Sequence, residues 1–205
     1  YSSEIGPYPY SEFSVVASPL PTGFGMPTLT YIGADVLRLP FIRATSLGHE
    51  ILHNWWGNGV YVDYEQGNWS EGLTTFMADY AFKESATNDT SRAMRLGWLR
   101  DFSALSNQAR QPLREFRGRT HSASAAVGYG KAAMLFVMLR DQIGEKAFRQ
   151  GIRDFWAKNQ FRVASWQELQ VAFESASGQD LKAFFAGWLD ASGAPKLEAR
   201  DALLR

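Results

Sequence analysis

Hydrophobic positions along this chain fall into two regimes. Up to about Leu39 the apolar residues come in short runs bounded by Pro, Gly and Ser. Glu12-Phe13-Ser14-Val15-Val16-Ala17 and Thr28-Leu29-Thr30-Tyr31-Ile32-Gly33 are rich in β-branched and aromatic residues and predict two strands. The loop Ser18-Pro19-Leu20-Pro21-Thr22-Gly23 separates them. From about Arg43 the apolar spacing becomes helical. A first helix is expected to stop at Gly57-Asn58, where glycine tolerates a left-handed C-terminal conformation. A second fits Ser70 to about Lys83, with Ser70 as N-cap and Glu71 at the positive end of the dipole. Further helices fit Thr90 to Ala109, Gly130 to Gln142, Glu145 to Lys158, Ser165 to Ala176 and Leu181 to Leu189. Ser165-Trp166-Gln167-Glu168 has the spacing of a capping box, and Pro112 divides the earlier helices from the later set. The pattern predicts an α+β fold in one domain spanning residues 1–205, a small N-terminal β-sheet followed by a mainly helical body.

Composition narrows the function classes more than the fold. The 205 residues are 45% hydrophobic and 20% charged, as in an ordinary globular chain with a sizeable core. Lys+Arg and Asp+Glu both number 21, so no charge excess points to nucleic acid or an anionic membrane surface as partner. No apolar run approaches the roughly 20 residues of a membrane span. Cysteine is absent, which excludes disulfides, zinc–thiolate sites and a cysteine nucleophile and leaves the compartment undetermined. The chain opens at Tyr1 rather than Met, and the expectation is a fragment of a longer protein with additional domains.

The chemistry concentrates in Leu47-Gly48-His49-Glu50-Ile51-Leu52-His53-Asn54-Trp55-Trp56 and in Trp69-Ser70-Glu71-Gly72. Two histidines four apart on a helix share one face and can reach one metal ion. Glu50, beside the first histidine, is placed to take a proton from water, and a carboxylate on the following segment would give three ligands and one open position, as hydrolytic zinc requires. Of 3 histidines in the chain, 2 lie in this motif. Two half-buried core histidines around a solvated glutamate would give the same bare pattern. Three features favour the metal: the helix-ending glycine, the second helix that could pack antiparallel and present Glu71, and the surrounding Trp55, Trp56, Tyr61, Tyr64 and Trp69 as a water-restricting wall.

His49-Glu50-Ile51-Leu52-His53-Asn54-Trp55-Trp56-Gly57-Asn58 with Trp69-Ser70-Glu71-Gly72 resembles the gluzincin zinc site of the aminopeptidase N family, which includes the leukotriene-epoxide hydrolase. The resemblance implies a thermolysin-like catalytic domain, a Zn2+ cofactor held by His49, His53 and Glu71, Glu50 as general base, and a peptide substrate. Residues 54–70 separate His53 from Glu71, one fewer than in the family pattern, and the rival carboxylates Asp63 and Glu65 lack the Glu-Gly pair that follows it. Val127-Gly128-Tyr129-Gly130-Lys131-Ala132 resembles the family's Tyr-x-Lys-Gly segment, with Ala132 in place of the glycine. It implies that Tyr129 donates its hydroxyl to the oxyanion of the tetrahedral intermediate; Lys131 is expected to face solvent or an ion pair. The tail, through Ser165-Trp166-Gln167-Glu168-Leu169 and Phe184-Phe185-Ala186-Gly187-Trp188-Leu189, follows the order of the family's catalytic domain.

One segment departs from the family. Where it carries Gly-x-Met-Glu-Asn, whose glutamate binds the substrate's amino group, this chain has Gly23-Phe24-Gly25-Met26-Pro27-Thr28. Proline offers neither charge nor N–H. Gly25 and Met26 are still expected to line the cleft and pair an extended peptide, with Glu4 or Glu12 as substitute amine anchors. Thr75, one turn after Glu71, is a candidate to orient a ligand. The expected function is zinc-dependent peptide hydrolysis, aminopeptidase-like with atypical amine recognition. The alternatives are an endopeptidase, a non-peptide hydrolase on the same scaffold, and a non-catalytic binding module.

Overall fold

A computed structural model describes residues 1–20, 23–39, 42 and 46–195. Both expected strands form, as β1 (Ser14–Ser18) and β3 (Leu29–Gly33), and they run parallel with Val16 opposite Tyr31. A third strand, β2 (Gly23–Met26), begins in the expected loop and completes a sheet of order β1-β3-β2. It pairs antiparallel with β3 through the two-residue turn Pro27-Thr28. Thr28 sits at φ 64, a costly conformation for a β-branched residue. Two hydrogen bonds hold it there: its N–H donates to Asn54 Oδ1 at 3.0 Å, and its carbonyl accepts from Ser14 N–H at 2.7 Å. Asn54 is fully buried, also accepts from the Tyr8 hydroxyl at 3.2 Å and donates to the Ile51 carbonyl at 2.9 Å. One amide thus fastens the sheet to the helix that carries the histidines.

After the short α1 (Ala34–Leu37) comes that helix, α2 (Ser46–Leu52). Regular helix ends at Leu52, earlier than the expected stop at Gly57-Asn58. His53 N–H still bonds the His49 carbonyl, but Asn54 and Trp55 bond the residues three back, so the last turn tightens. Gly57 follows at φ 108. β4 (Tyr61–Val62) then pairs parallel with β5 (Val163–Ala164), a distant two-stranded contact.

Next is α3 (residues 70–86), helical over Ser70–Thr74, widened to a π-helix over Thr75–Tyr80 and regular again over Ala81–Ala86. Ser70 is its first helical residue rather than its cap. Asn68 does the capping, its Oδ1 accepting from the Ser70 N–H and hydroxyl, each at 3.0 Å. α4 (Asn88–Ser103) is shorter than the helix expected to Ala109. α5 (Ser122–Ile143) starts earlier than expected, at a capping box between His121 and Ser124, and is π-helical over Ala126–Lys131. The helix is long and apolar enough to cross a membrane, but Leu135, Phe136 and Leu139 lie fully buried in the protein core. The body closes with α6 (Glu145–Asn159), α7 (Trp166–Ser177) and α8 (Lys182–Leu189). The Ser165–Glu168 capping box at α7 is present as expected.

The core is aromatic beneath the site. Trp56 and Trp69 meet edge to face at 6.2 Å, and Trp69 meets Phe155 at 5.2 Å. Trp55, Trp56 and Trp69 are therefore core rather than cavity wall, and Tyr61 is exposed. α3 and α5 approach so closely that a Cβ on Gly72 would lie 2.3 Å from that of Ala132. This contact sets the distance between Glu71 on one helix and Tyr129 on the other.

Candidate metal centre

His49 and His53 present their Nε2 atoms to the same carboxylate oxygen, Glu71 Oε2, at 3.4 and 3.5 Å. The other ring nitrogens are already engaged: His49 Nδ1 with Asp79 Oδ2 at 2.7 Å, and His53 Nδ1 with the Trp56 carbonyl at 2.9 Å. Those bonds fix each ring and leave Nε2 for a ligand. Glu71 Oε2 is buried without a hydrogen-bond partner among the described residues. One potential ligand atom from each of His49, His53 and Glu71 lies within 4.8 Å of the others. A tetrahedral zinc with bonds of about 2.0–2.2 Å keeps its ligands about 3.3–3.6 Å apart. The donor set, spacing and orphaned oxygen fit a divalent cation of this kind.

The charges support the same reading. Burial works against a charged imidazolium at His49, but the Asp79 and Glu71 carboxylates outweigh it and hold the group up at about 10. Glu71, which burial alone would raise, is held far below the usual carboxylate range by His49 and His53. A metal bound at Nε2 must therefore compete with a proton that His49 holds more tightly than usual.

Glu50 is lifted above its usual range chiefly by burial, with Glu71 adding to the rise; His53, His49 and a hydrogen bond from the Gly25 N–H oppose it. Gly25 is required here by close approach: a Cβ would lie 2.8 Å from the Glu50 carbonyl and 3.0 Å from His53 Cβ. Tyr129 stacks on His49 with ring centroids 6.2 Å apart. Its phenol is raised well above its ordinary value, first by burial and then by Glu71, so the hydroxyl keeps its proton.

These groups share a cavity of about 840 Å³ whose lining includes Gly23, Phe24, Gly25, His49, Glu50, His53, Tyr64, Glu71, Asp79, Arg119 and Tyr129. Of the two expected substrate contacts, Gly25 lines it, beside Gly23 and Phe24 and against Glu50, and Met26, the last residue of β2, does not. Asp63 and Glu65 lie off the lining, with Asp63 accepting from the Glu65 N–H. Glu4 pairs with Arg149 at 2.8 Å, and neither Glu4 nor Glu12 lines the cavity.

Two other expectations are corrected. Thr75 is buried and its hydroxyl donates to the Glu71 carbonyl at 2.7 Å, so it touches backbone and not a ligand. Asp79 does the orienting instead. In a regular helix residue 79 would sit about 80° around the axis from residue 71. The extra residue of the π turn reduces that to about 20°, which aims both carboxylates at the histidines. Lys131 is 4% exposed rather than solvent-facing. Its Nζ donates to the Ala191 carbonyl at 2.5 Å and lies 5.6 Å from the Phe102 ring. Burial lowers it to about 8.

This constellation on a sheet-plus-helical frame defines a gluzincin-type metallopeptidase domain. Residues 43–188 match the peptidase family M1 domain, and the chain belongs to that family. It is 29% identical over 160 residues to aminopeptidase N of Haemophilus influenzae, covering 76% of this chain and 18% of that protein. It is 26% identical over 164 residues to aminopeptidase 2, mitochondrial, of Saccharomyces cerevisiae, covering 75% of this chain and 17% of the relative. Among solved structures it superposes on the M1 zinc metallopeptidase of Deinococcus radiodurans with a TM-score of 0.75 at 26% identity, covering 96% of this chain and 43% of the other. The chain thus spans under a fifth of the length of these two curated relatives.

Proposed function

We propose that this domain hydrolyses peptide bonds with a zinc ion held by His49, His53 and Glu71. The observation that carries the reading is the convergence of two Nε2 atoms on an unpartnered, buried Glu71 Oε2, with Glu50 and Tyr129 in the same cavity. The M1 relatives named aminopeptidases support peptides as the substrate class. Zinc at such a site supplies Lewis acidity and brings the pKa of water toward neutrality.

The chain's own residues account for the proton movements. Glu50 accepts the proton of the attacking water and returns it to the leaving nitrogen; its raised affinity for protons suits both halves of that transfer. The Gly25 N–H orients the carboxylate. Tyr129 donates to the carbonyl oxygen as negative charge develops there. Asp79 and the Trp56 carbonyl hold the two imidazoles in the tautomer that leaves Nε2 available.

Amine recognition is atypical. Pro27 and Thr28 form the β2–β3 turn and offer no carboxylate to a substrate ammonium. The test is Glu50→Gln in the intact polypeptide. It is expected to lower kcat on fluorogenic peptides by about 10²–10⁴-fold while zinc content stays at one per chain. Near-normal turnover with zinc retained refutes the role of Glu50.

A further inference from the structure

The charged side chains on the cavity wall are unequally committed. Glu71 faces the two histidines, Asp79 bonds His49 Nδ1, and Glu50 takes the Gly25 N–H beside both imidazoles. Arg119 lines the same cavity, is exposed, and forms no ion pair or hydrogen bond among the described residues. It stands two residues before His121, the N-cap of α5, so it adds to the positive end of the helix that carries Tyr129. Its charge reaches the Tyr129 hydroxyl, where it opposes the effect of Glu71. The free charge of the described cleft is therefore a cation, in the same cavity as the donor that would meet the scissile carbonyl. A guanidinium with no partner in a concave site matches a carboxylate, which it can bind through two parallel N–H donors.

We infer that Arg119 anchors the substrate through a carboxylate near the scissile bond, so that the cleft selects anionic peptides. The inference rests on the proposed peptidase reading and adds a substrate class to it. The carboxylate has two sources, an acidic side chain flanking the scissile bond or the free C-terminus of a short peptide.

Three peptides of one sequence, all with a free N-terminus, separate these sources: one neutral in its side chains and C-amidated, one with a free C-terminus, and one amidated with glutamate beside the scissile bond. The intact polypeptide is expected to favour one of the two carboxylate peptides over the neutral one by about tenfold in kcat/KM. Arg119→Ala is expected to erase that ratio through KM, and Arg119→Lys to keep part of it. A ratio near one in the wild type, or one that survives in Arg119→Ala, overturns the inference. So does an equal fall in kcat on all three peptides, which would assign Arg119 to the Tyr129 hydroxyl instead. If none of these free-amine peptides is cleaved by the zinc-loaded protein, the peptidase reading fails by itself. Calorimetric binding of the three peptides to Glu50→Gln and to Glu50→Gln with Arg119→Ala still decides the inference: an Arg119-dependent preference for carboxylate sustains it, and equal binding removes it.

Discussion

Replacing Asp79 with asparagine tests how the metal centre is held, because its effect on zinc affinity depends on pH. The substitution keeps shape and a hydrogen-bond acceptor 2.7 Å from His49 Nδ1 but removes the charge. Two consequences oppose each other. A charge-assisted bond to the ligand becomes a neutral one, which costs about 1 kcal/mol and, at metal sites, about 10–100-fold in affinity. The competing proton also loses support. With His49 held up at about 10, a metal binding at pH 7 must displace a proton across three pH units, a cost of about 4 kcal/mol. Burial opposes the charged imidazolium and Glu71 alone then supports it, so without Asp79 the group falls from its raised position toward its ordinary value. Zinc affinity of the wild type is therefore expected to climb about tenfold per pH unit from pH 7 toward 10, whereas the variant's curve is flatter. The wild type binds at least tenfold more tightly near pH 10, the two curves cross between about pH 8 and pH 9, and the variant binds more tightly at pH 7. Chelator competition gives the affinities, and calorimetry in buffers of different ionisation enthalpy counts protons. His49 should release about one proton on zinc binding to the wild type at pH 7 and less than half of one in the variant. Parallel affinity curves or equal proton release would refute the assignment of Asp79 as the group that poises His49. The metal-free protein gives a sign check. A raised folded-state pKa contributes stability that is full below the unfolded value of about 6.5 and is lost as pH rises through about 10. Asp79→Asn should thus destabilise the metal-free protein at pH 6 and hardly at all above pH 10.

Two further substitutions probe the groups around the metal. Tyr129→Phe removes the oxyanion donor and is expected to lower kcat by about 10²–10³-fold with zinc stoichiometry unchanged; retention of more than a tenth of the turnover would place the donor elsewhere. Asn54→Leu strips partners from the Thr28 N–H and the Ile51 carbonyl, and denaturant unfolding should show a loss of about 2–4 kcal/mol; a loss below about 0.5 kcal/mol would mean that the β2–β3 turn does not depend on this amide.

The contrast between Glu71 and Asp79 shows how far a sequence carries a site like this. His49, His53 and Glu71 are legible because helical periodicity and a helix start place them within a few residues, where spacing still determines direction. Asp79 is invisible to the same reasoning: a 3.6-residue period turns it away from Glu71, and Thr75 looks better placed. What redirects it is the π turn over Thr75–Tyr80, which no apolar pattern announces. Tyr129 sits on a second such turn over Ala126–Lys131, in a stretch whose glycines suggest a helix start at Gly130 rather than the middle of a long helix. Lys131 and β2 fail for another reason. Burial of the lysine depends on the Ala191 carbonyl and the Phe102 ring, both remote in sequence, and β2 is Gly23-Phe24-Gly25-Met26, which holds no β-branched residue to mark a strand before β3 pairs with it. The two π turns lie on the two helices that meet closely at Gly72 and Ala132. Each helix therefore departs from regular geometry within a turn or two of that contact, and each departure carries a functional side chain, Asp79 or Tyr129. A regular helix through Thr75–Tyr80 would keep the ligands named by the motif and lose the carboxylate that fixes His49. The motif specifies which atoms can meet a metal; the irregular backbone decides which groups hold those atoms in place.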